Sequence, residues 1–308
     1  DLLWLSIIIS ILLTFIEAIS SYGSDNLFIP LFASLLLYIF SIDDGNYLAP
    51  FTLALLLAAI VSVLSYRAKF LTLNGSVATF LLAIFVLGLG GWKWAIPITT
   101  FFVFSSLLSK VRKSKNRNIE QYFEKSGIRD IWQVLANGGL AGILVILHLF
   151  FPSQLLFYIY LGSLAAVCSD TWATEFGTLN PGKTYNVLNF KLVQPGVSGG
   201  VSLLGTIGAA LGGLIIALSG LFWSEIGIIF YFALIILSGL FGSFLDSLLG
   251  ATIQHQRKCS VCEKVTERKY HCKRESDYLS GVVWFKNDVV NLFAGIAGSI
   301  FILIILSI

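Results

Sequence analysis

The chain of 308 residues is 56% hydrophobic and 12% charged, with a mean hydropathy of +0.86 and a formal charge of +3. That balance excludes a water-soluble globular domain and a nucleic-acid-binding protein, because the apolar residues come in runs near the roughly 17–25 that cross a bilayer. The expectation is an all-α, polytopic transmembrane helical bundle of about ten helices, solvated by lipid.

Crossings are predicted at 2–19, 27–41, 49–65, 76–91, 92–109, 131–151, 154–168, 199–220, 227–250 and 285–308. The first two make a leading hairpin, residues 1–45, ahead of a larger membrane domain at 46–308. Asp1 at the start and the absence of Met predict a chain processed or trimmed from a longer product. The first run does not read as a signal peptide: it lacks a basic start and a small-residue cleavage site, and it leads into further crossings.

Between the third and fourth crossings, RAKFLTLNGSVATF places Arg67 and Lys69 at a helix end, ahead of Asn74 and Gly75. Arg67 reads either as a phosphate contact or as a topology anchor. Further on, the 154–168 run leads into SDTWATEFG, 169–177, where Asp170, Ala173, Thr174 and Gly177 share one helical face. Small neighbours leave room beside the carboxylate for Mg²⁺ carrying phosphate oxygens, since Mg²⁺ takes one or two carboxylates and fills its shell with water and phosphate. The alternative is a helix cap, but Glu175 adds a like-charge cost that a cation would relieve. Cys168, alone in this helix, reads as packing.

The next stretch, KLVQPGVSGGVSLLGTIGAALGG at 191–213, has a turn at Pro195-Gly196, and Gly199 and Gly200 are expected to open a helix. Free N–H groups there, with Ser198 and with Lys183 and Lys191 upstream, would suit a phosphate chain. The later glycines have the four-residue spacing of close helix packing in membranes. In SGLFGSFLDSLLGATIQ, Gly239, Ser243, Asp246 and Gly250 form one helical stripe, so Asp246 faces the bundle; buried and unpaired it would cost several kcal/mol or lose its charge. In CSVCEKVTERKYHC, Cys259, Cys262, His271 and Cys272 have the makings of a structural Zn²⁺ site, with His255 a competitor for the fourth position. Finally WFKNDVVNLFAG sets Asn287, Asp288 and Asn291 on one face of the last helix, where Asp288 is a candidate Mg²⁺ ligand or an N-terminal cap.

If the crossings alternate, the loops at 20–26, 66–75, 110–130, 169–198 and 251–284 share a face, and nineteen of the twenty Lys and Arg residues lie there, counting Lys286 at the start of the last helix, with Lys93 opposite. An excess of cations marks the cytoplasmic face, which puts both termini on the non-cytoplasmic side. Taken alone, the seven basic residues of 110–130 and the seven of 251–284 need no more than this topology signal and lipid headgroup contact. Every polar constellation above falls on the same face; the other carries Asp43, Asp44, Glu225 and short turns. A transporter should line both entrances, whereas an enzyme joining a soluble cosubstrate to a lipid headgroup needs chemistry at one.

RAKFLTLNGSVATF, SDTWATEFG, QPGVSGGVSLLGT, GSFLDSLLGA and NDVVN together resemble the membrane family that contains plant phytyl-phosphate kinase and animal transmembrane protein 19. The similarity runs from about residue 50 to the C-terminus. A weaker resemblance reaches the CTP-dependent phytol and dolichol kinases and lipid cytidylyltransferases, whose Asp–x–x–Ala element matches Asp170 and Ala173, with Ser169 in place of its leading glycine. EAISSYGSDNLFIP, 17–30, looks like the closing motif of phytol kinases, so residues 1–45 are either the tail of an upstream kinase-like domain or an ordinary leading hairpin.

The resemblance implies a Mg²⁺-dependent kinase with a cytoplasmic or stromal site, moving a phosphoryl group from a nucleoside triphosphate, CTP above others, to an isoprenyl monophosphate. It implies Asp170, Asp246 and Lys191 as the catalytic set, and contacts to nucleotide or acceptor from Arg67, Lys69, Asn74, Gly75, Thr174, Glu175, Lys183, Pro195, Gly196, Ser198, Gly199, Gly200, Asn287 and Asn291. A CTP-dependent lipid cytidylyltransferase and a lipid-phosphate transporter are the rival readings. The oligomeric state is not legible.

Overall fold

The computed structural model describes residues 2–42, 47–115, 128–179 and 182–308. Asp43 and Asp44, and Arg117 and Lys125 of the basic loop, lie outside the described residues. The framework is helical: α1 (Leu2–Ile19), α2 (Asp25–Ile42), α3 (Leu48–Arg67), α4 (Leu73–Lys115), α5 (Ile131–Phe150), α6 (Gln154–Leu179), α7 (Leu203–Gly220), α8 (Ile228–Thr252) and α9 (Asn287–Ser307). Eight of these are long and apolar enough to span a membrane, and α2 carries a shorter apolar stretch, Asp25–Ser41. The protein is an all-α polytopic membrane protein.

Helix α4 is 43 residues long, but its helical dihedrals fail at Gly91 (φ 63°, ψ −162°), a conformation that a side chain would not tolerate. The hydropathy pattern divides its 76–91 and 92–109 runs at this residue. Contacts divide the chain into two units: the first takes the stretches up to Ala95, Ile128–Leu135 and Val145–Phe151, and the second Ile96 onward, Ala136–Leu144 and Pro152–Ile308.

The first unit is held by large side chains. Ile8 and Leu12 of α1, Leu36 and Ile39 of α2, Phe51 and Ala54 of α3 and Ile84 of α4 are completely or almost completely buried together. Aromatic pairs Phe15–Phe80, Phe40–Phe51 and Phe32–Phe85 fill the spaces between them, at centroid separations of 4.8–5.3 Å.

The second unit is built the opposite way, from small residues around α6, whose residues from Phe157 to Ser169 are all buried. Lipid gives helices no hydrophobic reason to associate, so close approach of backbones must supply the attraction. Ser238 Oγ of α8 donates to the Gly162 carbonyl of α6 (3.3 Å) and the Gly298 carbonyl of α9 (3.0 Å). One turn along, a side chain at Gly242 would strike Ala166 and the Ala294 carbonyl. On the other flank, Gly212, Gly208 and Gly205 of α7 lie against Ser169, Trp172 and Ala173 of α6. These contacts make α6 and α8 run one way and α7 and α9 the other. Four helix ends therefore meet at one end of this unit: the C-termini of α6 and α8 and the N-termini of α7 and α9.

Helix α6 continues past the predicted end at 168 to Leu179, so SDTWATEFG is helical throughout. The opening of α7 differs from expectation. Gly199 and Gly200 do not start a helix: Gly199 has φ 79°, and Gly200–Ser202 is a short strand that pairs with Thr184–Asn186. Ser202 ends the extended segment by accepting the Gly205 N–H at 3.1 Å, and α7 begins at Leu203. Short strands also occupy segments expected as loops. Strands β1 (Thr184–Asn186), β2 (Leu192–Val193) and β3 (Gly200–Ser202) form one antiparallel sheet in the order β2-β1-β3. Between α8 and α9, β4 (Gln256–Lys258), β5 (Val265–Thr266) and β8 (Asp277–Ser280) form a second, and β6 (Tyr270–His271) pairs with β7 (Arg274–Glu275).

Candidate functional site

Continuing the α6–α8–α9 ladder by one more turn leads from Ala166, Gly242 and Ala294 to Asp170, Asp246 and the α9 segment that holds Asn291. The Asp170 and Asp246 carboxyls lie within hydrogen-bonding reach of each other. Two negative charges so close repel unless a cation or a shared proton stands between them. Asp246 Oδ2 is sealed from solvent and has no hydrogen-bond partner among the described residues. Asn291, 8% exposed, donates from Nδ2 to Asn137 Oδ1 at 3.2 Å, while its own Oδ1 has no partner among the described residues. A buried oxygen left unsatisfied is costly, and a bound cation is one way of satisfying it. The pair of carboxylates, with that orphaned oxygen, fits the needs of Mg²⁺.

A third carboxylate approaches from an element that sequence reading missed. Glu267, on the segment between β5 and β6, lies within electrostatic range of both aspartates. It accepts hydrogen bonds from Ser198 Oγ and Gln254 Nε2, each 2.8 Å. Its only mark in the sequence is one acid among the cations of EKVTERKYH, and nothing local separates it from Glu263, which pairs with Lys258 at the surface.

The loop ahead of α7 supplies the rim. Gln194 to Val197 close a turn, with the Val197 N–H donating to the Gln194 carbonyl at 3.3 Å and Gly196 at φ 88° after Pro195. At Gly199 a side chain would collide with Ala251 of α8, so the loop is seated directly on the helix that carries Asp246. Gly200 belongs to β3, Ser198 is spent on Glu267, and the α7 N-terminus is capped by Ser202. An anion site on the opening of a helix at Gly199-Gly200 is therefore corrected to a turn and strand edge beside the aspartates.

The remaining predicted residues sort by their partners. Thr174 lies half-buried one turn beyond Asp170. Glu175 is buried and bound to Arg112, and accepts from Ser109 Oγ at 2.6 Å. Its like-charge cost is thus answered by Arg112 of α4 rather than by a bound cation. Lys183 is exposed beside β1, and Lys191 is exposed at the β1–β2 connection, where its carbonyl accepts the Asn186 N–H at 2.9 Å. Asn287 is the first residue of α9; the cap position falls on Lys286, so Asp288 sits in the first turn and is not the cap.

Arg67, Lys69, Asn74 and Gly75 belong to the first unit. Arg67 ends α3, and Lys69 follows in a left-handed conformation at φ 59°; both are exposed. Thr72 Oγ1 donates to Asn74 Oδ1, the Thr72 N–H to the Arg129 carbonyl at 3.0 Å, and the Gly75 N–H to Thr72 Oγ1 at 3.2 Å. Gly75 leaves space for the Arg129 carbonyl that a side chain would take. Cys259, Cys262, His271 and Cys272 do converge, and His255 is not among them. His255 instead accepts from Arg257 Nε at 3.1 Å.

No solved structure matches the chain. Among curated proteins it is similar to Protein PGR of Arabidopsis thaliana, 30% identical over 77% of this chain and 90% of that one. It is 27% identical to an uncharacterized membrane protein of Methanocaldococcus jannaschii, over 70% of this chain and 88% of that one. Protein VTE6, chloroplastic, of Arabidopsis thaliana is 24% identical over 75% of this chain and 63% of its own length. The model of the family described as Integral membrane protein DUF92 matches residues 56–299, which span α3 to α9 and every candidate residue of the second unit. The chain belongs to the DUF92 integral membrane family.

Proposed function

We propose that this protein is a membrane kinase that moves a phosphoryl group from a nucleoside triphosphate, CTP above others, to an isoprenyl monophosphate of the phytyl or geranylgeranyl type, giving the diphosphate. The observation that carries the reading is the Asp170–Asp246 pair, with its sealed, unpartnered Asp246 Oδ2, at the meeting of four helix ends. The sequence resemblance to the phytyl-phosphate kinase family and the shared DUF92 framework support it.

Asp170 and Asp246 would hold Mg²⁺, with Asp288 near the start of α9 a further candidate. The chemistry such an ion would supply there is positive charge against the phosphate oxygens during transfer. The turn at Pro195-Gly196 and the exposed Lys183 and Lys191 would face the nucleotide's phosphates. Arg67, Lys69, Asn74 and Gly75 would hold the acceptor phosphate, and the apolar helices the prenyl tail. In the reaction an oxygen of the acceptor phosphate bonds to the terminal phosphorus as the bond to the nucleoside diphosphate breaks. A phosphate monoester is largely dianionic at neutral pH, its second pKa being about 6, so no general base is required. The site is proposed to open to the cytoplasm or stroma, where the basic loops lie.

The test is incubation of purified protein with Mg²⁺, phytyl or geranylgeranyl monophosphate and CTP labelled at the terminal phosphate or in the base. Terminal label in a prenyl diphosphate, with CDP released, supports the kinase. Label from the base in a lipid product with pyrophosphate released replaces it with a cytidylyltransferase. CTP-independent passage of lipid phosphate across liposomes replaces it with a transporter.

A further inference from the structure

The 34-residue stretch from Ile253 to Lys286 joins α8 to α9 and contains two tight turns that face each other. The β4–β5 turn carries Cys259 and Cys262; His271 ends β6 and Cys272 opens the β6–β7 turn. Their four candidate ligand atoms all lie within 4.8 Å of one another. His271 Nδ1 is 3.5 Å from Cys262 Sγ and 3.3 Å from Cys272 Sγ. The two His–Cys separations are those expected of donors on the corners of a tetrahedron whose centre is roughly 2.0–2.3 Å from each.

Two backbone features fit the same ion. The Val261 N–H donates to Cys259 Sγ at 3.4 Å, and the Cys262 N–H donates to the same sulfur, an arrangement that stabilises a thiolate. Neighbouring side chains on an extended strand point to opposite faces, which would keep His271 and Cys272 from sharing an ion. Here Cys272 (φ 49°) and Lys273 (φ 61°) are both left-handed, and this breaks the alternation at the one place where adjacent ligands require it. Neither is Gly, Asn or Asp, so the turn is held against its local preference.

We infer that Cys259, Cys262, His271 and Cys272 bind one structural Zn²⁺, and that this ion holds the insertion so that Glu267, midway between the two turns, is fixed against Ser198 and Gln254 at the rim of the aspartate site. With four protein donors the ion has no open position, so its role is architectural. Glu267 lies five residues beyond Cys262 and four before His271, so closing the two turns on one ion leaves its segment little freedom. The placement of Glu267 as a third carboxylate for the proposed phosphate chemistry rests on the kinase reading; the zinc site does not.

The experiment uses the full chain purified in detergent without chelator. Elemental analysis is expected to give about one zinc per chain, lost in Cys259→Ser/Cys262→Ser. Co²⁺ exchanged into the protein is expected to show thiolate-to-cobalt charge transfer and tetrahedral visible bands. Should the double variant fail to fold, His271→Cys keeps four donors and is expected to retain zinc with an altered cobalt spectrum. Zinc well below one equivalent, with all three loop thiols reacting freely with a thiol reagent, overturns the site. Hydrogen exchange at Gln194–Ser202 reads the coupling: it is expected to speed up on zinc removal and in Glu267→Gln, which keeps its zinc. Exchange there unchanged by chelation overturns the claim that the ion positions Glu267. Neither readout involves turnover, so failure of the kinase proposal and failure of this one are separable.

Discussion

Asp170→Asn and Asp246→Asn test the site most directly, because stability and activity should move in opposite directions. Both aspartates are half-buried and their carboxyls meet. Were both ionised, two unit charges about 4 Å apart would repel by about 4 kcal/mol at an effective dielectric near 20; partial exposure and a proton shared between the carboxyls cut this to at most about 1–2 kcal/mol. Asparagine keeps the shape and removes one charge. In the absence of divalent cations each variant should therefore melt no lower than the parent, and up to several degrees higher, by fluorescence-monitored unfolding in detergent. Turnover should fall by at least about a hundredfold, roughly 2.7 kcal/mol of transition-state stabilisation. Mg²⁺ should raise the melting temperature of the parent and not of the variants. Activity within about tenfold of the parent, or a variant that is destabilised with no Mg²⁺ effect lost, would refute the assignment.

Glu175, by contrast, is held in a buried ion pair. Removing its partner in Arg112→Ala should cost about 3–5 kcal/mol by leaving a buried carboxylate uncompensated, measured as a lower midpoint of denaturation, and Arg112→Met with Glu175→Leu should recover most of it. Gly242→Val should disrupt the second unit by forcing α8 away from Ala166 and the Ala294 carbonyl, with a loss of about 1–3 kcal/mol in the same assay. His255→Ala should retain both zinc and turnover, since the imidazole bonds Arg257 rather than the cysteines; loss of zinc by elemental analysis would contradict the ligand set. Steady-state kinetics should show a raised acceptor KM in Arg67→Ala with kcat little changed, and poor turnover of free phytol, which brings no charged nucleophile.

What could be read from the sequence follows the reach of each signal. Gly239, Ser243, Asp246 and Gly250 repeat at helical spacing, so the inward stripe of α8 is visible in a dozen residues, and Asp170 with Ala173, Thr174 and Gly177 likewise. The break at Gly91 coincides with a change between two apolar runs. Contacts between distant residues leave no such trace. Glu175 looks like a companion of Asp170 because they are five apart, yet its charge is answered by Arg112, 63 positions earlier. The opening of α7 was misplaced because Gly199 and Gly200 and the Ser202 cap are all legitimate helix-start signals, and only the pairing of β3 with β1 decides between them.

Glu267 was invisible for a related reason, and it shows how the site is assembled. Helices that alternate in direction bring their ends back to the same face at α6, α7, α8 and α9, so a chain of simple crossings delivers two aspartates, a turn and an asparagine to one place without any long-range instruction beyond small residues at four-residue spacing. That mechanism can supply side chains only from helix ends. A carboxylate that must come down on the site from the solvent side has to be carried by an insertion, and 34 residues with short strands and no core of their own size cannot hold it there by hydrophobic burial. Two facing turns that present three sulfurs and an imidazole would answer that need with the proposed ion.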